Sequence, residues 1–172
     1  RAELKTSYGF DYLYNDTYRP TIDPGMNDAV IGFIAPPLFL NTYSVFGQAE
    51  LDITRLTLTG GIRQEWYTGG VTDRDFDPTL PRVATPGDFA KSDLALFNLG
   101  AVYRVTDEIQ LYAGFSQGAE LSALGRAARG TATPAAISNQ PATNDQYEIG
   151  LRGGSGPVRF ELVGYYTESE SS

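Results

Sequence analysis

Between Thr42 and Thr54 the side chains alternate: Tyr43, Val45, Gly47, Ala49, Leu51 and Ile53 share one face, and Thr42, Ser44, Gln48, Glu50, Asp52 and Thr54 share the other. A period of two marks an extended strand with one dry and one wet side, because helical faces recur only every 3.6 residues or so. Phe46 alone interrupts the polar face. Beyond Ile53-Thr54-Arg55 the pattern resumes in the opposite parity, with Leu56, Leu58, Gly60, Ile62 and Trp66 against Thr57, Thr59, Arg63, Glu65 and Tyr67. Two such runs around a short turn predict an antiparallel hairpin.

The same signature recurs along the chain. Leu4, Tyr8, Phe10, Tyr12 and Tyr14 oppose Glu3, Lys5, Ser7, Asp11 and Asn15, which predicts a first strand over about 2–17. Ala95, Phe97, Leu99, Ala101, Tyr103 and Val105 mark a fourth, although Leu94, Leu96 and Val102 dilute its polar side. Ile109, Leu111, Ala113 and Phe115 mark a fifth, Tyr147, Ile149 and Leu151 a sixth, and Val158, Phe160, Leu162 and Tyr166 a seventh. The expectation is an all-β chain of about seven antiparallel strands.

The connections alternate between short and long. Short ones fall at Ile53–Arg55, Thr106–Glu108 and Gly153–Pro157, and in the last two Asp, Gly and Pro supply turn geometry. The others, at about 18–41, 68–90 and 118–142, hold nine of the ten prolines. Compact soluble domains seldom carry several loops of that length, whereas outer-membrane barrels combine short periplasmic turns with long extracellular loops. Each strand has about the ten residues that a tilted strand needs to cross a bilayer. A transmembrane β-barrel wall in the bacterial outer membrane is therefore expected, its apolar face toward lipid and its polar face toward a lumen. The competing reading is a smaller outer-membrane barrel or a soluble β-sheet domain acting as a binding or structural module.

Composition narrows the chemistry. Without Cys or His the chain has no thiolate and no imidazole, which excludes histidine-based hydrolysis and the usual zinc sites, so no enzyme, cofactor or metal centre is expected. A net charge of −8 with no basic patch argues against nucleic acid. Asp73-Arg74-Asp75-Phe76-Asp77 begins like a calcium loop, but Pro78 replaces the required Gly and Ala84 the closing Glu. No stretch resembles a signal peptide, so one has been removed or the chain starts inside a longer protein.

Ser44-Val45-Phe46-Gly47-Gln48-Ala49-Glu50 followed by Leu56-Thr57-Leu58-Thr59-Gly60-Gly61-Ile62-Arg63 resembles the mid-barrel hairpin of TonB-dependent receptors. Leu111-Tyr112-Ala113-Gly114-Phe115-Ser116-Gln117-Gly118, then Gln146-Tyr147-Glu148-Ile149-Gly150-Leu151-Arg152 and Gly164-Tyr165-Tyr166-Thr167, resemble that family's next strands in order and spacing. The resemblance covers most of residues 1–172. It implies a portion of a 22-stranded barrel that encloses a plug and imports ferric siderophores or similar nutrients with energy from TonB. No plug, TonB box or terminal aromatic residue is found here, and seven strands are an odd number, so further β-strands are expected to complete the barrel.

Two groups of residues are candidates for function. Gln117, Glu120, Arg126 and Arg129, around the third long loop, are expected at the outer mouth, where guanidinium groups suit an anionic ferric chelate. Glu50, Arg63, Glu65, Tyr112, Glu148 and Arg152 are expected to face the lumen and to form charge ladders with one another or with a plug.

Overall fold

The structure, a computed structural model, describes residues 2–27, 29–72, 86–120, 134–136 and 140–170. It is an antiparallel sheet curled into part of a barrel. Seven long strands lie side by side in chain order: β1 (Ala2–Asp23), β2 (Ala29–Ile53), β3 (Leu56–Val71), β5 (Ser92–Arg104), β6 (Ile109–Glu120), β7 (Ala142–Ser155) and β8 (Val158–Glu170). A two-residue strand, β4 (Gly87–Asp88), pairs with the outer end of β3. Among the described residues there is no α-helix, and no helix long and apolar enough to cross a membrane.

The three tight turns form where the sequence places them. Thr54 adopts a left-handed φ of 52° between β2 and β3, and Gly156 takes 59° between β7 and β8, where glycine accepts that conformation without penalty. At the β5–β6 turn the Thr106 hydroxyl accepts from the amides of Glu108 (3.2 Å) and Ile109 (3.1 Å), a side-chain substitute for the missing ladder bonds.

The first connection differs from expectation. Residues 18–41 do not form an irregular loop: β1 and β2 continue as a two-stranded arm to a 3-10 turn at Pro24–Met26, closed by Asn27 at φ 56°. Their prolines are accommodated by broken register. Pro36 and Pro37 fall between the pairs Thr17↔Leu38 and Arg19↔Ala35, a bulge in which two residues of β2 face one of β1. A proline without an N–H is harmless there because the bulge needs no ladder donor. Of the second and third connections, residues 68–71 and 118–120 are strand, while 73–85, 121–133 and 137–139 lie outside the described residues, the Asp73–Asp77 run among them.

Register turns the alternation into two continuous surfaces. Leu4, Leu51, Leu58, Ala101, Ala113, Ile149 and Gly164 stand side by side across all seven strands, and the rows above and below on the same face are apolar except at Thr6. This belt is open to its surroundings: Tyr8 is 88% exposed, Leu162 72% and Leu99 62%. Among the described residues the buried hydrophobic cluster, by contrast, is small: Leu38, Val71 and Phe89, with Leu40 against it. A soluble monomer rarely leaves so much contiguous apolar surface uncovered.

The borders of the belt are slanted. Going outward along each strand, the belt ends at Asp16 on β1, Asn41 on β2, Thr68 on β3, Asp93 on β5, Gln117 on β6, Asp145 on β7 and Glu168 on β8. Gln64 interrupts it beneath Trp66, where its amide reaches Asp93 at 3.3 Å. In the ladder, the Glu168 row runs back through Gln117 and Phe97 to Tyr8, eight residues below Asp16. With about 3.4 Å per residue and 4.8 Å between strands, that drop of roughly 27 Å over roughly 29 Å is a slope of about 43°. The tight turns descend the same way. The β2–β3 hairpin closes at Ile53↔Leu56 and the β7–β8 hairpin four pairs lower at Ser155↔Val158, a slope of about 35° by the same spacing.

Candidate functional site

The opposite face is polar and lies inside the curl. A cavity of about 580 Å³ opens on it, lined by Gln48, Thr59, Asn98, Tyr112, Gln146 and Glu148 among others. All six of the expected lumen residues stand on this face. In the ladder, Glu50 is opposite Thr59, Arg63 opposite Phe46, Glu65 opposite Ser44, Tyr112 opposite Gly150, Glu148 opposite Gly114, and Arg152 opposite Gln110.

Arg63 is the centre of the outer half. Its guanidinium donates to Asp11 Oδ2 at 2.7 Å, to Ser44 Oγ at 2.7 Å and to Glu65, which also accepts from the Tyr67 hydroxyl. Ser44 is 1% exposed, so this hydrogen bond satisfies a hydroxyl that water cannot reach. Arg63 also lies 5.7 Å from the centre of the Phe46 ring, a cation–π distance. That explains why Phe46 interrupts the polar face: its ring fills the space over Gly9, where any side chain would collide with it.

Nearer the tight turns, Lys5 Nζ bridges Glu50 Oε1 (2.9 Å) and Asp52 Oδ2 (3.1 Å), and Thr57 donates to Asp52 at 2.6 Å. On the other flank Tyr112 donates to Glu161 at 2.9 Å, and Arg152 donates to Gln110 at 3.0 Å while lying 5.6 Å from the Tyr112 ring. Gly150 leaves room for that ring, which sits where its Cβ would be. Glu148 rests against Gly114. Expected residues therefore meet partners that sequence reading left aside, namely Lys5, Asp11, Ser44, Tyr67, Gln110 and Glu161. Parity alone places these on the correct face. Their partners follow only from register.

Of the outer-mouth candidates, Gln117 and Glu120 are among the described residues. Gln117 and Glu120 are three residues apart on β6, so they point to opposite faces. Gln117 sits at the belt's border, where its amide donates to Asp145 (3.0 Å) and accepts from the Phe97 amide (3.2 Å). Arg126 and Arg129 lie outside the described residues. What the mouth does show is an apolar anchor. Phe89, 4% exposed, packs with Leu38 and Val71, its amide bonded to Gly69 O at 2.8 Å, and Pro134 of the third connection lies against Gly87.

A curled sheet with an open apolar belt, short turns at one end and a polar inner face defines the wall of a β-barrel. The family model "TonB dependent receptor-like, beta-barrel" matches residues 1–171. The chain belongs to that family, whose members are receptors of the outer membrane and not enzymes. It is 29% identical over 98% of its length to the Rhizobactin receptor of Rhizobium meliloti (strain 1021). It is 27% identical over 93% to the Ferric aerobactin receptor of Klebsiella pneumoniae, and 28% identical over 93% to that of Escherichia coli. The chain spans about a quarter of the length of these relatives, 27%, 26% and 25% respectively. In solved structures its fold resembles the Copper transporter OprC, with a TM-score of 0.67 and 18% identity over 95% of this chain and 27% of that one.

Proposed function

We propose that this chain is part of the wall of an outer-membrane receptor that imports a ferric siderophore or a similar nutrient. The observation that carries the membrane-spanning part of this reading is the slant of the belt. Strands of outer-membrane barrels tilt by about 35–45°, and a belt bounded by two flat membrane surfaces must cross tilted strands obliquely. Both borders of this belt descend in the same sense at angles in that range. A soluble sheet packed on its own core has no reason to produce parallel, oblique borders.

The siderophore cargo is supported by the names of the curated relatives, all receptors for siderophores or their ferric complexes. In this reading the apolar belt meets outer-membrane lipid, and the outer edges of β1 and β8 pair with further β-strands of the barrel. The TonB complex acts through a plug in the lumen. The Lys5 and Arg63 clusters stiffen the wall or hold the plug, while Glu120, Arg126 and Arg129 contribute to recognition at the mouth. Gln117, already engaged at the belt's border, braces that loop.

The test is import of radio-iron by cells carrying the complete receptor as their only uptake route. Energy-dependent uptake of ferric aerobactin or ferric rhizobactin, lost when TonB is deleted, is the expected result. Binding of neither chelate, with TonB-independent passage of small solutes instead, would overturn the reading in favour of a smaller pore or structural barrel.

A further inference from the structure

One row of the polar face differs from all the others. Ser7, Gln48, Gly61, Asn98, Ser116, Gln146 and Thr167 are direct ladder neighbours across all seven long strands. None is charged. The six side chains in this row are exposed. Among the described residues none of them has a hydrogen-bond or ionic partner, whereas close by Lys5, Glu50, Asp11, Arg63 and Glu65 are engaged with one another. The 580 Å³ cavity lies over the row's middle, where Gln48, Asn98, Ser116 and Gln146 line it.

Its course follows from the slant. A ladder row runs perpendicular to the strands, so in a wall whose strands tilt by about 40° it climbs at the same angle to the membrane plane. Over six strand spacings of about 4.8 Å the row rises roughly 20 Å. At its upper end Thr167 sits next to Glu168 on the outer border, while at its lower end Ser7 lies nine residues below Asp16.

Resting on the receptor reading above, we propose that this row is a transit track: a ramp of free amides and hydroxyls along which a polar, oxygen-rich cargo moves from the outer mouth into the lumen. The chemistry suits passage better than capture. A fixed charge would hold an ionic cargo or its counter-ion strongly at one place, whereas neutral donors and acceptors offer many contacts of similar, modest strength, as conduction requires. The row also joins two depths, from beside the outer border at Thr167 to well below it at Ser7.

The test uses the complete receptor in intact cells. Asn98→Asp and Gln146→Glu, which keep shape but place charge on the track, are expected to leave surface binding of ferric aerobactin within about twofold and to slow its import at least tenfold. The neutral exchanges Asn98→Gln and Gln146→Asn are expected to stay within about threefold of the unmodified receptor. Import of the charged variants at the unmodified rate would overturn the track. A second readout does not depend on the cargo: cysteine introduced at Asn98, Ser116 or Gln146 is expected to react with an uncharged, membrane-impermeant polar thiol reagent added outside energised cells. Absence of labelling at all three positions means that another part of the protein covers the row, and also overturns the proposal. Failure of the unmodified receptor to import the chelate speaks instead against the cargo assigned above.

Discussion

The two faces of this sheet are built from the same strands by the same alternation, yet they are specified in different ways. The outer belt is uniform: leucine, isoleucine, valine and aromatic rings repeat from row to row, and few of them make a directed contact. The inner face is particular. Phe46 needs Gly9, Tyr112 needs Gly150, and Arg63 needs Asp11, Ser44 and Glu65 together. A surface that meets a fluid hydrocarbon need only be apolar at the correct depth. A surface that curls on itself must fit side chain to side chain, and glycine opposite a bulky group is how this one makes room.

The largest expected effect breaks the belt. Leu99 lies near the middle of the belt on β5, so Leu99→Arg is expected to cost about 2–4 kcal/mol when the complete receptor is folded into lipid vesicles and titrated with urea. Thr59→Arg, at similar depth on the polar face, is expected to cost less than about 1 kcal/mol in the same titration. Equal losses at the two positions would remove the distinction between the faces. Depth sharpens it further: Val158→Arg, beside a tight turn, is expected to fall within about 0–1 kcal/mol because the charge reaches water there.

On the inner face, Arg63→Ala strands Asp11 and Glu65 and leaves the buried Ser44 hydroxyl without its donor. The two carboxylates are partly solvated, so the expected loss is about 1 kcal/mol, smaller than for Leu99→Arg, and it should shrink for a double variant that also carries Asp11→Asn. The smallest effect runs the other way. Thr54 holds a left-handed turn conformation that a β-branched residue disfavours, so Thr54→Gly is expected to stabilise the receptor by about 0.5–1 kcal/mol. No gain, or a loss, would mean that the Thr54 side chain has a task at the turn.

Much of this was legible in the sequence because both signals involved are local. Alternation assigns each side chain to a face, Asp, Gly and Pro mark two of the tight turns, and the change of parity across Ile53-Thr54-Arg55 marks the third, so the strands, the turns and the face of each polar residue follow by counting. What was missed depends on long-range register. Prolines 20, 24, 36 and 37 read as a broken loop, yet a bulge lets the β1–β2 arm continue past them. The partners of Arg63 come from strands 52 and 19 residues away, and no local pattern selects Asp11 over Asn15 or Ser44 over Gln48. Gln117 was grouped with Glu120 by nearness in sequence, although a spacing of three separates two strand residues to opposite faces. The slanted borders were equally hidden, since they appear only once the seven strands are set side by side.

The most direct test is to ask what each face touches. Cysteine is absent from this chain, so single cysteines carrying a spin label can be introduced one at a time from Leu96 to Val102 on β5 of the complete receptor in bilayers. The expected result is a strict two-residue period: labels at Phe97, Leu99 and Ala101 relaxed by oxygen dissolved in the lipid, and those at Leu96, Asn98, Gly100 and Val102 shielded from it. Equal accessibility at all seven positions, or the opposite phase, would contradict a wall whose apolar belt faces the membrane.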